Sequence, residues 1–311
     1  MFQLVQKRKL YFLVSSIIIL LGLTAMVTSL FQIGLPFRLG VDFRSGTRLE
    51  VAFEEQAREN EIRSVFVDAG FSSPDITSLG DPEAMTTWQV RTEFIQPDQA
   101  EALFDRLSAE VAPVDRESSS VQSVSPSVGA EVTRAAIVAV AVAAIIVLVY
   151  IMFSFRQVPN SVRYGACAVF AMLHDLMVVF GFVSLMGLLA GWEVDALFLT
   201  AALTVAGFSL QDTIVVFDRI RENSKKRPYE DFELLVNRSV LETIHRSLAT
   251  QLNAMFVLVA ILLFGGASIR PFIAVLFVGL LSGTYSSIFN AVPLLVSWEK
   301  GELPLISSVR A

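Results

Sequence analysis

In the stretch Gly207-Phe208-Ser209-Leu210-Gln211-Asp212-Thr213-Ile214-Val215-Val216-Phe217, one acid interrupts residues apolar enough to cross a bilayer. A carboxylate there costs about 2.5–3.5 kcal/mol on insertion scales, so it needs a partner or a proton. The chemistry open to Asp212 is therefore proton binding. The competing reading is that the helix has nearly left the bilayer at this depth, because Asp218 and further charges follow closely. Asp218 itself is expected at the interface, with Arg221 or a neighbour of Glu222 as a partner.

Arg246 is the candidate partner for Asp212. It opens another apolar run, and Thr250 and Asn253 follow at i+4 and i+7, so the three share one helix face. A polar stripe facing lipid is costly, so this face should meet other helices or water. Snorkelling of Arg246 to the headgroups is the alternative. His245 beside it points about 100° away on a helix. His174-Asp175 lies near the centre of a further apolar run. Two titratable groups in hydrocarbon form either a proton relay or a neutral, hydrogen-bonded structural pair. Gly279-x-x-x-Gly283 reads first as a helix-packing face and second as part of an ion path or a partner interface. With two histidines and the lone Cys167, read as a small buried hydrophobe, no transition-metal site is expected.

The elements that must position these residues are membrane helices. The chain is 54% hydrophobic and 17% charged, against about 25% charged in ordinary soluble domains. Its mean hydropathy is +0.60. Spans are predicted near 10–31, 134–154, 163–189, 195–217, 246–265 and 271–296, since about 20 helical residues cross the hydrocarbon. Lys7-Arg8-Lys9 precedes the first, which is too long for a signal peptide and is read as a retained helix.

Charge then orients the spans. Arg156 and Arg163 flank the link between spans two and three, and Arg219, Arg221, Lys225, Lys226, Arg227 and Arg238 fill that between four and five. Positive charge marks the cytoplasmic side, which places both termini inside and the segment after span one outside. Residues 31–134 hold 9 Lys+Arg against 18 Asp+Glu, a net of −9, and offer no basic surface for nucleic acid.

That outside segment reads as a small domain. Residues 41–53 alternate like a strand, 54–69 favour helix, 76–79 and 88–94 read as strands, and 97–111 as a helix opened by Pro97. Residues 118–124 alternate again, although their serines also suit a flexible tether. The order βαββαβ is the ferredoxin-like split motif. The predicted fold is thus a polytopic α-helical membrane protein of six transmembrane helices, with an α+β ferredoxin-like extracytoplasmic domain between the first two. Its parts are 1–33 (N-terminus and first helix), 34–130 (outer domain), 131–298 (helices two to six) and 299–311 (cytoplasmic tail). Phosphate-cradling and dinucleotide-binding glycine motifs are absent, so an ion gradient is the energy source to consider.

Several motifs, in order along nearly the whole chain, resemble the SecD/SecF family of protein-export membrane proteins, in the resistance-nodulation-division (RND) superfamily. They are Gly40-Val41-Asp42-Phe43, Leu173-His174-Asp175, the run from Asp212 to Asn223, Phe264-Gly265-Gly266, and Gly283-Thr284-Tyr285-Ser286-Ser287-Ile288-Phe289. The resemblance implies an inner-membrane subunit acting with a SecD chain beside the SecYEG translocon, with a YidC-type insertase and the translocating preprotein as further partners. It implies no enzymatic activity and no cofactor, with protons as the coupling ion. It carries the coupling roles onto Asp212, Arg246 and Thr250. This chain departs from the family pattern at Ser45-Gly46, where Gly-Gly is common, at Gln211 for the more usual Asn, and at Ala249 for a common Asn. Two other functions stay open: a proton-coupled RND-type exporter of small molecules or lipids, and a scaffold that transports nothing.

Overall fold

The computed structural model describes residues 4–71, 74–79, 85–155, 161–266 and 269–302. Arg156 and the 303–311 part of the tail lie outside the described residues. The chain divides into two units: residues 1–38, 139–192 and 197–311 form one, and 39–138 with 193–196 the other.

In the smaller unit, alternation along β1 (Gly46–Phe53) buries Leu49, Val51 and Phe53 on one face and leaves Arg48 and Glu50 on the other. Then follow α3 (Glu59–Asp68), β2 (Asp75–Leu79), β3 (Thr87–Thr92), α4 (Pro97–Glu110) and β4 (Val114–Val124). The sheet runs β2-β3-β1-β4, antiparallel throughout, with Leu49 opposite Val90 and Val121. This is the expected βαββαβ arrangement. Ile62, Val65 and Phe66 of α3 and Leu103, Phe104 and Leu107 of α4 cover the apolar face, closing a core with Trp88 and Val90.

Two local differences from the sequence reading have clear causes. The strand expected from residue 41 starts at Gly46, because α2 (Val41–Arg44) is a single helical turn closed by Ser45 at φ 61. The serine-rich 118–124 segment is strand rather than tether. Ser119 Oγ accepts from the Ala52 amide at 3.0 Å, and the Ser123 and Thr47 hydroxyls are 2.7 Å apart.

The larger unit holds α1 (Arg8–Ile33), the later part of α5 (Pro126–Phe155), α6 (Ser161–Ala190), α7 (Ala196–Lys226), α8 (Phe232–Phe264), α9 (Arg270–Ser286) and α10 (Val292–Glu299). Six of the described helical segments are long and apolar enough to cross a membrane. Large apolar side chains such as Leu20, Leu21, Phe31, Ile145, Phe256 and Leu263 stay exposed on them, as lipid contact requires. Glycine sets the closest helix approaches. A Cβ at Gly22 of α1 would lie 3.0 Å from the Gly181 Cα of α6, and one at Gly279 of α9 would run into the Val205 side chain of α7.

Helices α7 and α8 outrun their expected spans. The polar residues 218–226 and 232–245, expected as a link, stay helical because charge and amide pairs join them. Arg219 bonds Glu222 (2.6 Å) on its own helix and Glu242 (2.6 Å) on α8, and Asn223 donates to Ser239 and Glu242, both at 2.9 Å. Asp218 pairs with Arg221. A five-residue π-helical segment, Ser287–Ala291, separates α9 from α10 inside the expected sixth span.

Candidate functional site

Asp212 sits on the inward face of α7 with Ser209, Thr213 and Val216, and is 4% exposed. Its carboxylate accepts a hydrogen bond from Gln251 Nε2 of α8, 2.9 Å from Oδ2, and the Ser247 hydroxyl lies beside it. Thr243, Ser247 and Gln251 recur every four residues and form the buried polar stripe of α8. Two polar atoms of that stripe, Ser247 Oγ and Gln251 Oε1, have no hydrogen-bond partner among the described residues. The pocket around Asp212 is therefore polar but sparsely bonded.

The expected contact between Asp212 and Arg246 is not made. Arg246 and Thr250 are exposed, each one position ahead of the stripe residues Ser247 and Gln251, so they project about 100° away from Asp212's side. The Thr250 hydroxyl donates to the Arg246 carbonyl on its own helix at 3.0 Å. The Arg246 guanidinium makes no ion pair or hydrogen bond among the described residues. It lines an open cleft of about 690 Å³ with Ser154, Asp218, Arg221, Glu242 and Thr243.

His174 and Asp175 lie deeper in the bundle, both buried, and Asp175 is fully so. His174 Nδ1 is 3.0 Å from Asp175 Oδ1. Ser282 of α9 donates to Oδ1 at 2.6 Å, while Ser209 of α7 (2.5 Å) and Ser286 of α9 (2.6 Å) donate to Oδ2. Gly283 makes room for this: a Cβ there would sit 3.3 Å from the Ser209 Cα and 3.7 Å from Asp175 Oδ2. The three serines were not legible as ligands of Asp175 in the sequence, although Ser286 falls within a quoted motif. Below them, Ser15 of α1 donates to Asn290 in the π-helical segment at 2.9 Å, and Tyr285 donates to the Tyr11 carbonyl at 2.9 Å.

A third polar centre, in the smaller unit, went unnoticed in the sequence. The connection from α6 to α7 includes Glu193–Ala196, which belongs to that unit. Glu193 is nearly buried and pairs with Arg91 of β3 and, at 3.7 Å, with Arg48 of β1. Beside it, Gly40 N donates to the Val194 carbonyl at 2.8 Å, and Asp42 Oδ2 accepts from Ala196 N at 3.0 Å. The available signal was Trp192-Glu193-Val194-Asp195, two acids in a short connection, and the two arginines, Arg48 and Arg91, that face each other across β1 and β3.

Among the described residues, no group of three or more His, Cys, Asp or Glu is placed to hold a metal ion. The chemistry within reach of the buried groups is proton exchange and hydrogen-bond rearrangement.

Comparison with known proteins agrees across the chain. Residues 104–301 match the family described as protein export membrane protein SecD/SecF, C-terminal, and residues 31–57 match the SecD/SecF GG motif. The protein translocase subunit SecF of Anaerolinea thermophila is 44% identical over 308 residues, 97% of this chain and 96% of that protein. That of Thermobaculum terrenum is 42% identical over 305 residues, covering 96% and 94%. The protein translocase subunit SecDF of Bacillus subtilis is 31% identical over 312 residues, which is 96% of this chain and 38% of that one. The crystal structure of SecDF from Thermus thermophilus, described as a translocon-associated membrane protein, superposes with a TM-score of 0.79 at 29% identity. It covers 96% of this chain, which spans 39% of that chain's length.

Proposed function

The chain belongs to the SecD/SecF family of protein-export membrane proteins, and from that premise we propose that it is the proton-coupled subunit of a SecD–SecF complex assisting the Sec translocon. Relatives named protein translocase subunits support this reading over a small-molecule exporter or a scaffold. Relatives that carry SecD and SecF in one name support a SecD chain as the direct partner. SecYEG, a YidC-type insertase and the emerging preprotein complete the proposed assembly. Both termini lie in the cytoplasm and the ferredoxin-like domain on the outer side, as the distribution of Lys and Arg favours.

The observation that carries the coupling role is the Asp212 environment. Among the described residues, this carboxylate, 4% exposed within a membrane helix, is met by the Gln251 amide and the Ser247 hydroxyl and by no cation. Protonation removes its charge and with it the demand for those donors, so α7 and α8 exchange one set of contacts for another. Arg246 and Thr250, exposed on the neighbouring face, serve across the boundary with the partner chain. A guanidinium in a membrane span requires an acceptor, and an acid on the SecD chain would supply it. The proton-motive force then drives the change, since one charge moving through 100 mV releases about 2.3 kcal/mol.

The deciding experiment replaces Asp212 with Asn. The complex should assemble, while export into vesicles under an imposed proton gradient should fall to the level seen without the gradient. Full gradient-dependent export by Asp212→Asn would overturn the assignment.

A further inference from the structure

The coupling reading leaves His174 and Asp175 unused, and their geometry supports an inference of its own. Four groups surround the Asp175 carboxyl: His174 Nδ1 lies 3.0 Å from Oδ1, Ser282 donates to Oδ1, and Ser209 and Ser286 donate to Oδ2. A carboxylate has about four acceptor sites, and these four groups fill them. His174 Nδ1 is thereby committed. The ring's other nitrogen, Nε2, is buried and has no partner among the described residues. The pocket thus holds a fully hydrogen-bonded carboxyl group and, among the described residues, one unpartnered ring nitrogen.

We propose that His174 Nε2 is a proton-binding site of this chain, separate from Asp212, with Asp175 as its fixed counter-anion. The proton adds to the Nε2 lone pair while Nδ1 keeps its own proton and its bond to Asp175. The dyad passes from one negative charge to none. Its consequences reach two other helices, because the serines holding Asp175 come from α7 and α9. Other titratable groups on the packed helices are Asp212 on α7, three residues beyond Ser209, Tyr285 on α9, Tyr11 on α1, and Cys167 two turns earlier on α6. Tyr285 is committed to the Tyr11 carbonyl and Asp212 to Gln251, so neither serves the dyad.

The chain has two histidines, so a His245→Gln background with 15N-labelled imidazole reports His174 alone. In the full chain in lipid nanodiscs, Nδ1 should stay protonated while Nε2 takes up a proton between about pH 8 and pH 5, the interval in which histidine changes charge. In the same background, Asp175→Asn should weaken that proton binding about tenfold or more, as removal of an adjacent opposite charge does. A ring held in one neutral form across that interval, or a titration unmoved by Asp175→Asn, overturns the proposal. Should the Asn variant not assemble, the titration of the parent chain decides. The readout is ring ionisation, so it stands or falls independently of whether Asp212 drives export.

Discussion

Gln251 Nε2 donates to Asp212 Oδ2 at 2.9 Å across the α7–α8 contact, while Arg246, five residues earlier on α8, faces away. This buried carboxylate is thus held by an amide of its own chain, and the arginine makes no bond among the described residues. An amide can follow a change in protonation at little electrostatic cost, whereas an ion pair resists it. This division of labour gives each residue a distinct expected phenotype.

Gln251 and Asp212 should be energetically coupled in the isolated chain. Hydrogen bonds to charged groups contribute about 1.5–3 kcal/mol. A double-mutant cycle of Gln251→Ala and Asp212→Asn, followed by denaturation in mild detergent, should show a coupling of about 1–3 kcal/mol. Strictly additive effects would mean the bond carries nothing.

Arg246→Ala should behave in the opposite way. The side chain is exposed and unpaired among the described residues, so its loss should change stability of the isolated chain by no more than about 0.5 kcal/mol. Export, and retention of the SecD partner during purification, should both fall. A chain that loses stability on its own but keeps its partner contradicts a role at the boundary.

What the sequence made legible, and what it hid, follows from energetic cost. Six hydrocarbon-length runs are visible because each must be apolar along its whole length, and Asp212, His174 and Asp175 stand out as costly exceptions. Ser209, Ser282, Ser286 and Gln251 are uncharged and cheap in a membrane helix, so nothing marks them as the groups that hold those carboxylates. The choice between Arg246 and Gln251 as partner turned on about 100° of helix rotation, set by which stripe packs inward. Residues 218–226 and 232–245 lacked an apolar run, and their helicity depends on pairs such as Arg219–Glu242 that join separate segments. Glu193 looked like an ordinary loop acid because its two arginines lie over a hundred residues away.

Ser45 stands in a backbone conformation that suits glycine. Its φ of 61° and ψ of 167° fall in a region that costs about 1–3 kcal/mol for other residues. Ser45→Gly removes that strain and adds about 0.5–1 kcal/mol of chain entropy, so the small domain should gain about 1 kcal/mol. Gly46→Ala should do the reverse by about 2 kcal/mol or more, because its φ of 120° points a Cβ at the Thr92 carbonyl. Hydrogen exchange of β1 amides in the full chain reads both changes.

Glu302 gives the chain a mild acid sensitivity. Its hydrogen bond with Arg8 (2.6 Å) holds the carboxyl below the usual glutamate range. A depressed carboxylate stabilises the folded arrangement above its unfolded value near about pH 4.3. That contribution is lost as pH falls through the lower folded value. At 42% exposure the effect is small. Hydrogen exchange of the Glu302 amide, which donates to the Ser297 carbonyl, should therefore quicken slightly only at acid pH, and Arg8→Ala should bring the same slight increase at neutral pH.

Glu193 should matter more than any other acid of the smaller unit. It is the shared counter-ion of Arg48 and Arg91, with its side chain 5% exposed against 22% and 17% for theirs. Removing one member of a buried pair costs about 3–5 kcal/mol, and Asp75 beside Arg91 (3.8 Å), the bond from Arg48 to Gln122 (2.6 Å) and the partial exposure of both arginines favour the lower end. Glu193→Ala should therefore free the 193–196 segment from β1 and β3. The amides of Gly40 and Ala196, bonded to Val194 and Asp42, would report this as faster hydrogen exchange. Glu193→Gln, which keeps the shape and can still accept from a guanidinium, should restore part of the protection. Unchanged exchange at both amides in Glu193→Ala would show that the backbone bonds hold the segment without the ion pair.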